Sequence, residues 1–557
     1  MELKLICRKT GPFFLIIALL GIGAQNGLPL AIYGVSVGLT QSSLDGQWMG
    51  GYEIRGQYTP MYARFKAKAD GISGTLGLPV RGLTDAVLDQ IRFRSPSLHF
   101  ELPSAFPFIF EGKVSGGIIA GRVQSGNDRG TFNLVRVVTL DAKILDRYVG
   151  DYHIGKDRYI TIMRNNLSMP GISYVVYDSY NPSQRTGRLF PPSETTFVAG
   201  PGRLMSYPVE INATFVKNNQ GEVTALKWKP KGSAEITAKK VKLHLYDEEE
   251  VKFSNSDVTL AGTLTLPVTK GPHPAVVIIL GSDGGLRGYG RLPQFFAQHG
   301  IAALTYDKRG WGASTGTRIG STVKDMAGDA AAGVRFLQTR QDIDPNKVGV
   351  WAISQGGWMG PIVAATTPKV AFLILHAAPA VSPRLQSRME LVNTLPLSGY
   401  SPNEIKEAVE YQNLYLDAMQ SDESYDRAVA AYEQLRTGGA SWVWNPGTKE
   451  QLRAQWTAPN LDFDPVPFLE KVDCPVLAFF GGKDPLVPSE GNVSIMKEAL
   501  GKSGNHDFAI KVLPGVIHNF ELPGMGLYGY QSSGRTPRGY YDVMINWLEK
   551  RGMTDKK

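Results

Sequence analysis

Residues 348–358 read Val348-Gly349-Val350-Trp351-Ala352-Ile353-Ser354-Gln355-Gly356-Gly357-Trp358. The residues before Ser354 are apolar or small and predict a buried strand, and those after it predict the start of a helix. Ala352 and Gly356 are the small residues that a very sharp strand-to-helix turn requires two positions before and after a serine. The positive end of the helix would face charge that develops near the hydroxyl. The stretch therefore predicts a nucleophilic serine.

Two later segments carry the partners that such a serine needs. Asp484 follows the apolar run Phe479-Phe480-Gly481, and His518 follows the last apolar run of the chain. We expect all three side chains to emerge at one edge of a sheet, with His518 accepting the serine proton and Asp484 orienting the imidazole. Ser354, Asp484 and His518 are therefore the predicted catalytic triad, in the chain order Ser, Asp, His.

Apolar runs alternate with helical stretches throughout residues 250–550, which predicts a mostly parallel, doubly wound sheet with helices on both faces. A long insert, about 382–457, separates the fourth and fifth runs and carries two helical patterns, 402–420 and 425–435. Open sheets of this kind bind ligands at the carboxyl ends of their strands. We therefore expect the insert to form a helical cap there. The predicted runs are 275–280, 301–306, 348–353, 371–375, 476–480 and 508–513.

The chain before this region has a different pattern, because short alternating segments are separated by Gly, Pro and Asn-rich turns. Trp48-Met49-Gly50-Gly51-Tyr52 and Tyr148-Val149-Gly150-Asp151-Tyr152 look like two similar starts. We predict two small antiparallel β modules, 45–140 and 145–245, with no helix in either.

The N-terminus has the order of a secretory signal. Lys4, Arg8 and Lys9 precede an apolar run over 12–20, and small residues continue to Ala24. We predict a cleaved signal over 1–24 and export of the chain, periplasmic or secreted. An uncleaved N-terminal membrane anchor is the alternative, because no charge follows before Asp45.

Composition excludes several classes of protein. The 557 residues are 43% hydrophobic and carry a formal charge of +8, but the basic residues are scattered rather than gathered on one face, so we expect no nucleic-acid binding. Cys7 would leave with the signal, so Cys474 would be alone and no disulfide is expected. The eight histidines have no zinc spacing, and we predict neither a metal nor a cofactor. No feature predicts the oligomeric state.

Residues 250–550 resemble the α/β-hydrolase superfamily, in particular bacterial esterases similar to dienelactone hydrolases and serine aminopeptidases. The resemblance rests on the serine turn, on Leu260-Ala261-Gly262-Thr263-Leu264 and on Asp307-Lys308-Arg309-Gly310-Trp311-Gly312-Ala313-Ser314. The second β module resembles the lipocalin-like domains that precede some bacterial serine hydrolases. The resemblance implies the α/β-hydrolase fold and the triad.

The oxyanion of the reaction needs two N–H donors. We expect them to be the backbone N–H groups of Gln355 and Ser282, the latter in the loop after the first core strand. Asp283 in that loop is interpreted as a turn-forming residue, with a place in the substrate pocket as the alternative. Trp311 and Trp358 either line the pocket or fill the core.

Five other residues are interpreted as structural. Asp307 and Arg309 are expected to pair and order their loop, and His376 to be packed beneath the cap, with a second catalytic base as the alternative. His273 and His506 are predicted in surface loops.

The predicted reaction is hydrolysis of a small-molecule carboxylic ester through an acyl-serine intermediate. The main alternative is a serine aminopeptidase-like peptidase acting on short peptides, with Glu404, Glu407 or Glu410 of the cap binding a free amino terminus. An acyl thioesterase and a non-catalytic binding protein are the remaining alternatives.

Overall fold

The computed structural model describes residues 44–554, except 55–56, 70, 79–82, 104–106, 127, 156–157, 166–170, 179–184, 243–245, 283–284, 288–291, 441, 524–534 and 538. The predicted signal segment and Asp283 lie outside the described residues. No helix in the described ranges is long and apolar enough to cross a lipid bilayer.

The chain divides into two compact units. Of the described residues, the N-terminal unit contains those up to Lys242 together with those within 397–400 and 522–536, and the C-terminal unit contains the rest. Each unit has its own apolar core.

Two antiparallel sheets make up the N-terminal unit. The first has nine strands in the order β4-β3-β2-β1-β9-β8-β7-β6-β5, and the second has eight in the order β13-β12-β11-β10-β17-β16-β15-β14. The strands of the first sheet are β1 (Gly46–Ile54), β2 (Gln57–Lys68), β3 (Gly71–Leu78), β4 (Leu83–Val87), β5 (Asp89–Arg94), β6 (Ser97–Leu102), β7 (Phe108–Ser115), β8 (Ile118–Ser125) and β9 (Asp128–Val137). Those of the second are β10 (Gly150–Gly155), β11 (Arg158–Asn165), β12 (Gly171–Asp178), β13 (Arg185–Leu189), β14 (Thr196–Ala199), β15 (Ile211–Lys217), β16 (Val223–Pro230) and β17 (Ile236–Val241). The predicted all-β N-terminal region is confirmed.

The expectation that this region contains no helix is wrong. Helix α1 (Ala142–Tyr148) lies between the two sheets in sequence, and the Asp141 carboxylate caps it by accepting from the Lys143 N–H at 2.7 Å. Tyr148 therefore ends a helix rather than opening a strand, and its ring stacks on Phe215 with centroids 4.2 Å apart. A helix of seven residues is too short to show a periodic pattern in the sequence.

The two sheets of this unit pack on each other. The Ser206 hydroxyl donates to the Met49 carbonyl at 3.1 Å, and the Val138 N–H donates to the Pro191 carbonyl at 2.8 Å. An apolar cluster that includes Met49 and Phe190 surrounds these bonds. Ser206 is buried, and because its hydroxyl has a hydrogen-bond partner this contact stabilises the association of the two sheets.

The C-terminal unit is built on one eight-stranded sheet in the order β18-β19-β21-β20-β22-β23-β24-β25. Its strands are β18 (Tyr246–Asn255), β19 (Val258–Pro267), β20 (His273–Ile279), β21 (Ala302–Tyr306), β22 (Ile343–Ile353), β23 (Val370–His376), β24 (Val476–Gly481) and β25 (Phe508–Leu513). The helices are α2 (Leu292–Gln298), α3 (Val323–Gln338), α4 (Gly356–Thr366), α5 (Pro383–Thr394), α6 (Pro402–Asp417), α7 (Asp422–Thr437), α8 (Lys449–Arg453), α9 (Val466–Leu469), α10 (Ser489–Lys502) and α11 (Tyr540–Glu549).

Six strands of this sheet, β20 to β25, run parallel, and the hairpin β18–β19 joins them antiparallel at one edge. Every residue of β20 and β24 is buried, which explains their continuous apolar sequence. The predicted mostly parallel α/β architecture is confirmed. Strand β22 begins at Ile343, five residues before the predicted start. The residues between Ile343 and Val348 are mostly polar and at least partly exposed, so they do not belong to the apolar run that was used for the prediction.

The chain between β23 and β24 carries α5 to α9, and the predicted insert covers α5 to α8. Ser401 and Ser421 each cap a helix through the side-chain oxygen, and α6 ends at Asp417, three residues before the predicted end. The insert has a small apolar cluster of its own, which includes Leu416, Met419 and Leu461.

The expected pairing of Asp307 with Arg309 is wrong. The Arg309 guanidinium instead binds Asp329 of α3, with Nε–Oδ2 and Nη2–Oδ1 distances of 2.7 Å. Asp307 accepts from the backbone N–H groups of Arg287 at 2.9 Å and Ala313 at 3.0 Å. Each residue does order its loop, but through a partner that lies 6 to 20 positions away in the sequence.

Asp329 therefore offers a test of the packing of α3. We expect Asp329→Ala to lower the free energy of unfolding by about 3–5 kcal/mol, because it leaves the Arg309 charge, 12% exposed, without its carboxylate. Thermal unfolding of this variant should be compared with that of Asp344→Ala, which removes a long surface contact of 4.0 Å to Lys347. Equal unfolding temperatures for the two variants would contradict the assignment.

Candidate active site

Ser354 lies in the turn between β22 and α4 and has a backbone φ of +54°. This left-handed conformation is strained for a serine and is typical of functional turns. Its N–H donates to the His376 carbonyl at 2.9 Å, which holds the turn against β23. A Cβ on Gly356 would lie 2.5 Å from the Ile279 carbonyl oxygen, so the turn has room only for glycine there. The small-residue pattern in the sequence thus has a direct steric cause.

The structure places Ser354, His518 and Asp484 in one chain of hydrogen bonds. His518 Nε2 lies 2.9 Å from Ser354 Oγ, and His518 Nδ1 lies 2.8 Å from Asp484 Oδ2. The other Asp484 oxygen accepts from the N–H groups of Leu486 at 2.9 Å and Val487 at 3.0 Å. The Asp484 side chain is fully buried and that of His518 is 13% exposed. Nδ1 therefore keeps its proton and donates a hydrogen bond to Asp484, which leaves Nε2 free to accept a hydrogen bond from the Ser354 hydroxyl.

A tight turn holds His518. The Ile517 N–H donates to the Glu521 carbonyl and the Phe520 N–H donates to the Ile517 carbonyl, both at 3.0 Å. Phe520 is buried with a φ of +56°, and its ring packs against His376 at 4.7 Å. The turn that carries the His518 imidazole therefore packs on an apolar support, which is formed by Phe520 and the aromatic rings around it.

His376 belongs to that support. It is buried between aromatic rings, and its imidazole is hydrogen-bonded to the Tyr540 hydroxyl, with 2.7 Å between Tyr540 Oη and Nδ1. Burial lowers the pKa of His376 well below its usual range. The His376 side chain packs beneath the serine turn, and it is the His518 imidazole that is hydrogen-bonded to the Ser354 hydroxyl.

The predicted oxyanion donors belong to two different segments of the domain. Gln355 is buried at the N-terminus of α4, and Ser282 is exposed in the loop after β20. Among the described residues, neither backbone N–H has a hydrogen-bond acceptor.

Lys308 connects these two segments, and sequence reasoning missed it. Its Nζ donates to the Gly281 carbonyl at 2.5 Å and to Gln355 Oε1 at 3.0 Å, while its N–H donates to the Gly285 carbonyl at 2.9 Å. The available signal was its place in the loop after β21, at the same sheet edge as Ser354. Lys308 ties the loop that carries Ser282 to the turn that carries Gln355.

The tryptophans have separate positions. Trp358 is buried, stacks on Trp456 with centroids 5.7 Å apart, and donates from Nε1 to the Val381 carbonyl at 2.8 Å. Trp311 is half-buried and packs on the backbone of Gly285, where a Cβ would lie 2.3 Å from the ring. Trp358 therefore fills the core, and Trp311 supports the loop after β20.

The two histidines predicted in surface loops differ in exposure. His506 is exposed as predicted, but the surface position predicted for His273 is wrong. His273 is 3% exposed and begins β20, with its N–H donating to the Asp342 carbonyl at 2.8 Å. The prediction was wrong because Pro272 and Pro274 flank His273, and such prolines are typical of loops.

The cap carboxylates that the sequence suggested have surface or capping roles, and Glu407 is exposed. The Glu404 carboxylate accepts from the Ser401 N–H and hydroxyl in a capping box, and Glu410 is exposed beside Lys406. Glu390 of α5 is instead the cap residue whose carboxyl group interacts electrostatically with His518 and Asp484. The sequence pattern of α5 contained no signal for it.

A model of the family described as serine aminopeptidase, S33, matches residues 270–522. The matched residues include β20 to β25 and the whole Ser354–His518–Asp484 cluster. The chain carries an α/β-hydrolase domain. It is a serine hydrolase similar to carboxylesterases, as the resemblance implied.

Characterised relatives have similar sequences. The chain is 23% identical to the esterase EstD of Thermotoga maritima over 357 residues, which are 61% of this chain and 77% of EstD. It is 30% identical to the quorum-quenching protein AidA of Acinetobacter baumannii over 154 residues, which are 27% of this chain and 50% of AidA.

Among solved structures, acetyl xylan esterase 1 of Thermoanaerobacterium matches with a TM-score of 0.34 and 16% identity, covering 56% of this chain and 85% of that one. The dienelactone hydrolase of Anabaena variabilis matches with a TM-score of 0.32 and 16% identity, covering 55% and 99%.

The role of Lys308 can be tested in this hydrolase domain. We expect Lys308→Met to lower kcat about 10- to 100-fold with little change in KM, because the donors around the serine would no longer be held together. Steady-state kinetics on an ester substrate measures both constants. Lys347→Met is the matched control, since its side chain is 41% exposed at the start of β22. An unchanged kcat in Lys308→Met would exclude this role.

Proposed function

We propose that this protein is an exported serine hydrolase that cleaves carboxylic esters through an acyl-serine intermediate. The observation that carries the proposal is the position of the His518 ring, which bridges Ser354 Oγ at 2.9 Å and Asp484 Oδ2 at 2.8 Å. A serine hydroxyl is a weak nucleophile unless a base accepts its proton, and this arrangement supplies that base.

In the acylation half of the proposed reaction, Ser354 Oγ attacks the ester carbonyl carbon while its proton passes to His518 Nε2. Asp484 stabilises the resulting imidazolium through Nδ1 and stays ionised. The Gln355 and Ser282 N–H groups bind the oxyanion of the tetrahedral intermediate. The intermediate then collapses, the bond to the leaving oxygen breaks, and the imidazolium gives its proton to the departing alcohol.

Deacylation uses the same groups with water as the nucleophile. His518 Nε2 accepts a proton from water as the water oxygen attacks the acyl carbon, and a second tetrahedral intermediate forms. Its collapse breaks the bond to Ser354 Oγ, which recovers its proton from the imidazolium. One ester and one water thus give one acid and one alcohol.

Ester hydrolysis is favoured over the alternatives by the relatives, since EstD is named an esterase. The match of residues 270–522 to the serine aminopeptidase family model supports a peptidase as the second candidate. Export is proposed from the signal-like order of residues 1–24.

Ser354→Ala separates these functions. We expect wild type to hydrolyse short p-nitrophenyl esters and to react at Ser354 with a fluorophosphonate probe, and the variant to lose at least about 1,000-fold in kcat and all labelling. Peptide mapping of the labelled protein locates the modified residue. Ser494→Ala, an exposed serine of α10, is the control.

Aminoacyl p-nitroanilides tested beside the esters would identify a peptidase if only the anilides were hydrolysed. Labelling at another serine, or full activity in Ser354→Ala, would refute the proposed nucleophile.

A further inference from the structure

We propose that the Glu390 carboxyl group binds an oxygen substituent, a hydroxyl or an ether, that the substrate carries close to its scissile ester. The preferred substrates would then be esters of hydroxylated acids or of polyhydroxy alcohols rather than simple alkyl esters. The inference rests on the proposed function, because it assigns a substrate-binding residue to the same site.

The placement of α5 brings Glu390 to the site. Gln386, one turn earlier on the same helix face, donates from its side-chain amide to the Leu486 carbonyl. Leu486 in turn donates its N–H to Asp484 Oδ1 at 2.9 Å. The face of α5 that carries Gln386 and Glu390 therefore lies on the loop that holds the catalytic aspartate.

The charges around Glu390 are few. Its carboxyl group interacts electrostatically with His518 and Asp484, and no described residue forms a hydrogen bond or an ion pair with it. On α5 itself, Arg384 is paired with Asp417 and Asp462, and Arg388 is exposed. Glu390 is partly exposed, so a ligand hydroxyl group that reaches its carboxyl group can form a hydrogen bond there without displacing a protein partner.

The ionisation state selects the kind of ligand. Burial raises the pKa of Glu390 to about 8, the negative charge of Asp484 acts in the same direction, and His518 opposes them. At neutral pH the group is mostly an uncharged acid, which donates one hydrogen bond and accepts others. An alcohol or ether oxygen matches these donors and acceptors, whereas a cation would require the ionised form.

Matched esters test the proposal. The first pair is p-nitrophenyl 3-hydroxybutyrate with p-nitrophenyl butyrate, and the second is monobutyrin with propyl butyrate. We expect wild type to favour the hydroxylated member of at least one pair in kcat/KM. Glu390→Leu should reduce that preference about 10-fold or more, because the oxygen loses its partner. Glu390→Gln, which keeps a donor and an acceptor, should retain part of it.

Glu433→Leu is the control, since Glu433 is exposed on α7 beside Arg436. An equal preference in wild type and Glu390→Leu overturns the proposal, and so does a wild type with no preference in either pair. So does a Glu390-dependent preference for aminoacyl esters, which would indicate an ion pair instead. Absence of all ester turnover and of Ser354 labelling would be a failure of the proposed function itself.

Stability gives an independent test that needs no substrate. The folded-state pKa of Glu390 is raised, so between about pH 4.5 and 8 the folded protein holds a proton that the unfolded chain loses, and stability falls as the pH rises through this range. We expect Glu390→Gln to raise the unfolding temperature at pH 8 by about 2–4 °C or more relative to wild type, with little gain at pH 4.5. Thermal unfolding followed by circular dichroism measures the shift. An equal effect of the substitution at both pH values would contradict a desolvated, uncharged Glu390.

Discussion

The site depends on one backbone constraint, the left-handed conformation of Ser354 at the end of β22. Such a conformation is unfavourable for a residue with a side chain and persists only where the surroundings enforce it. Here the hydrogen bond from the Ser354 N–H to the His376 carbonyl holds one side, and the close approach of Gly356 to the Ile279 carbonyl leaves no room for a side chain on the other. Strands β20 and β23 flank β22 in the sheet, so the two neighbours of the central strand together impose the turn.

Parallel strands explain why the other groups arrive at the same place. Asp484 follows β24 and His518 follows β25, so both loops leave the sheet at the edge where Ser354 lies. The loops after β20 and β21 reach this edge as well, and Lys308 joins them to the serine turn. Rigid strands set the approximate position of each side chain, and a small set of hydrogen bonds adjusts it to within contact distance.

The insert adds a group that the sheet cannot supply. Its helix α5 is fastened to the Asp484 loop through Gln386, and one turn later it presents Glu390. Its surroundings raise the pKa of the Glu390 carboxyl group, and acids with perturbed pKa values are found most often at functional sites. The insert thus adds a titratable group beside Asp484 and His518 that belongs to no strand of the sheet.

Patterns of neighbouring residues were enough to predict the α/β sheet, the all-β N-terminal region and the meeting of Ser354, Asp484 and His518, because strand periodicity and the steric needs of the serine turn are local properties. The seven-residue helix α1 was not predicted, because a helix of about two turns leaves no periodic pattern in the sequence. The partners of Asp307 and Arg309, the bridging position of Lys308 and the desolvation of Glu390 depended on tertiary structure. Each of these is a property of atoms brought together from distant segments, and side-chain contacts and the exclusion of water exist only once those segments have packed.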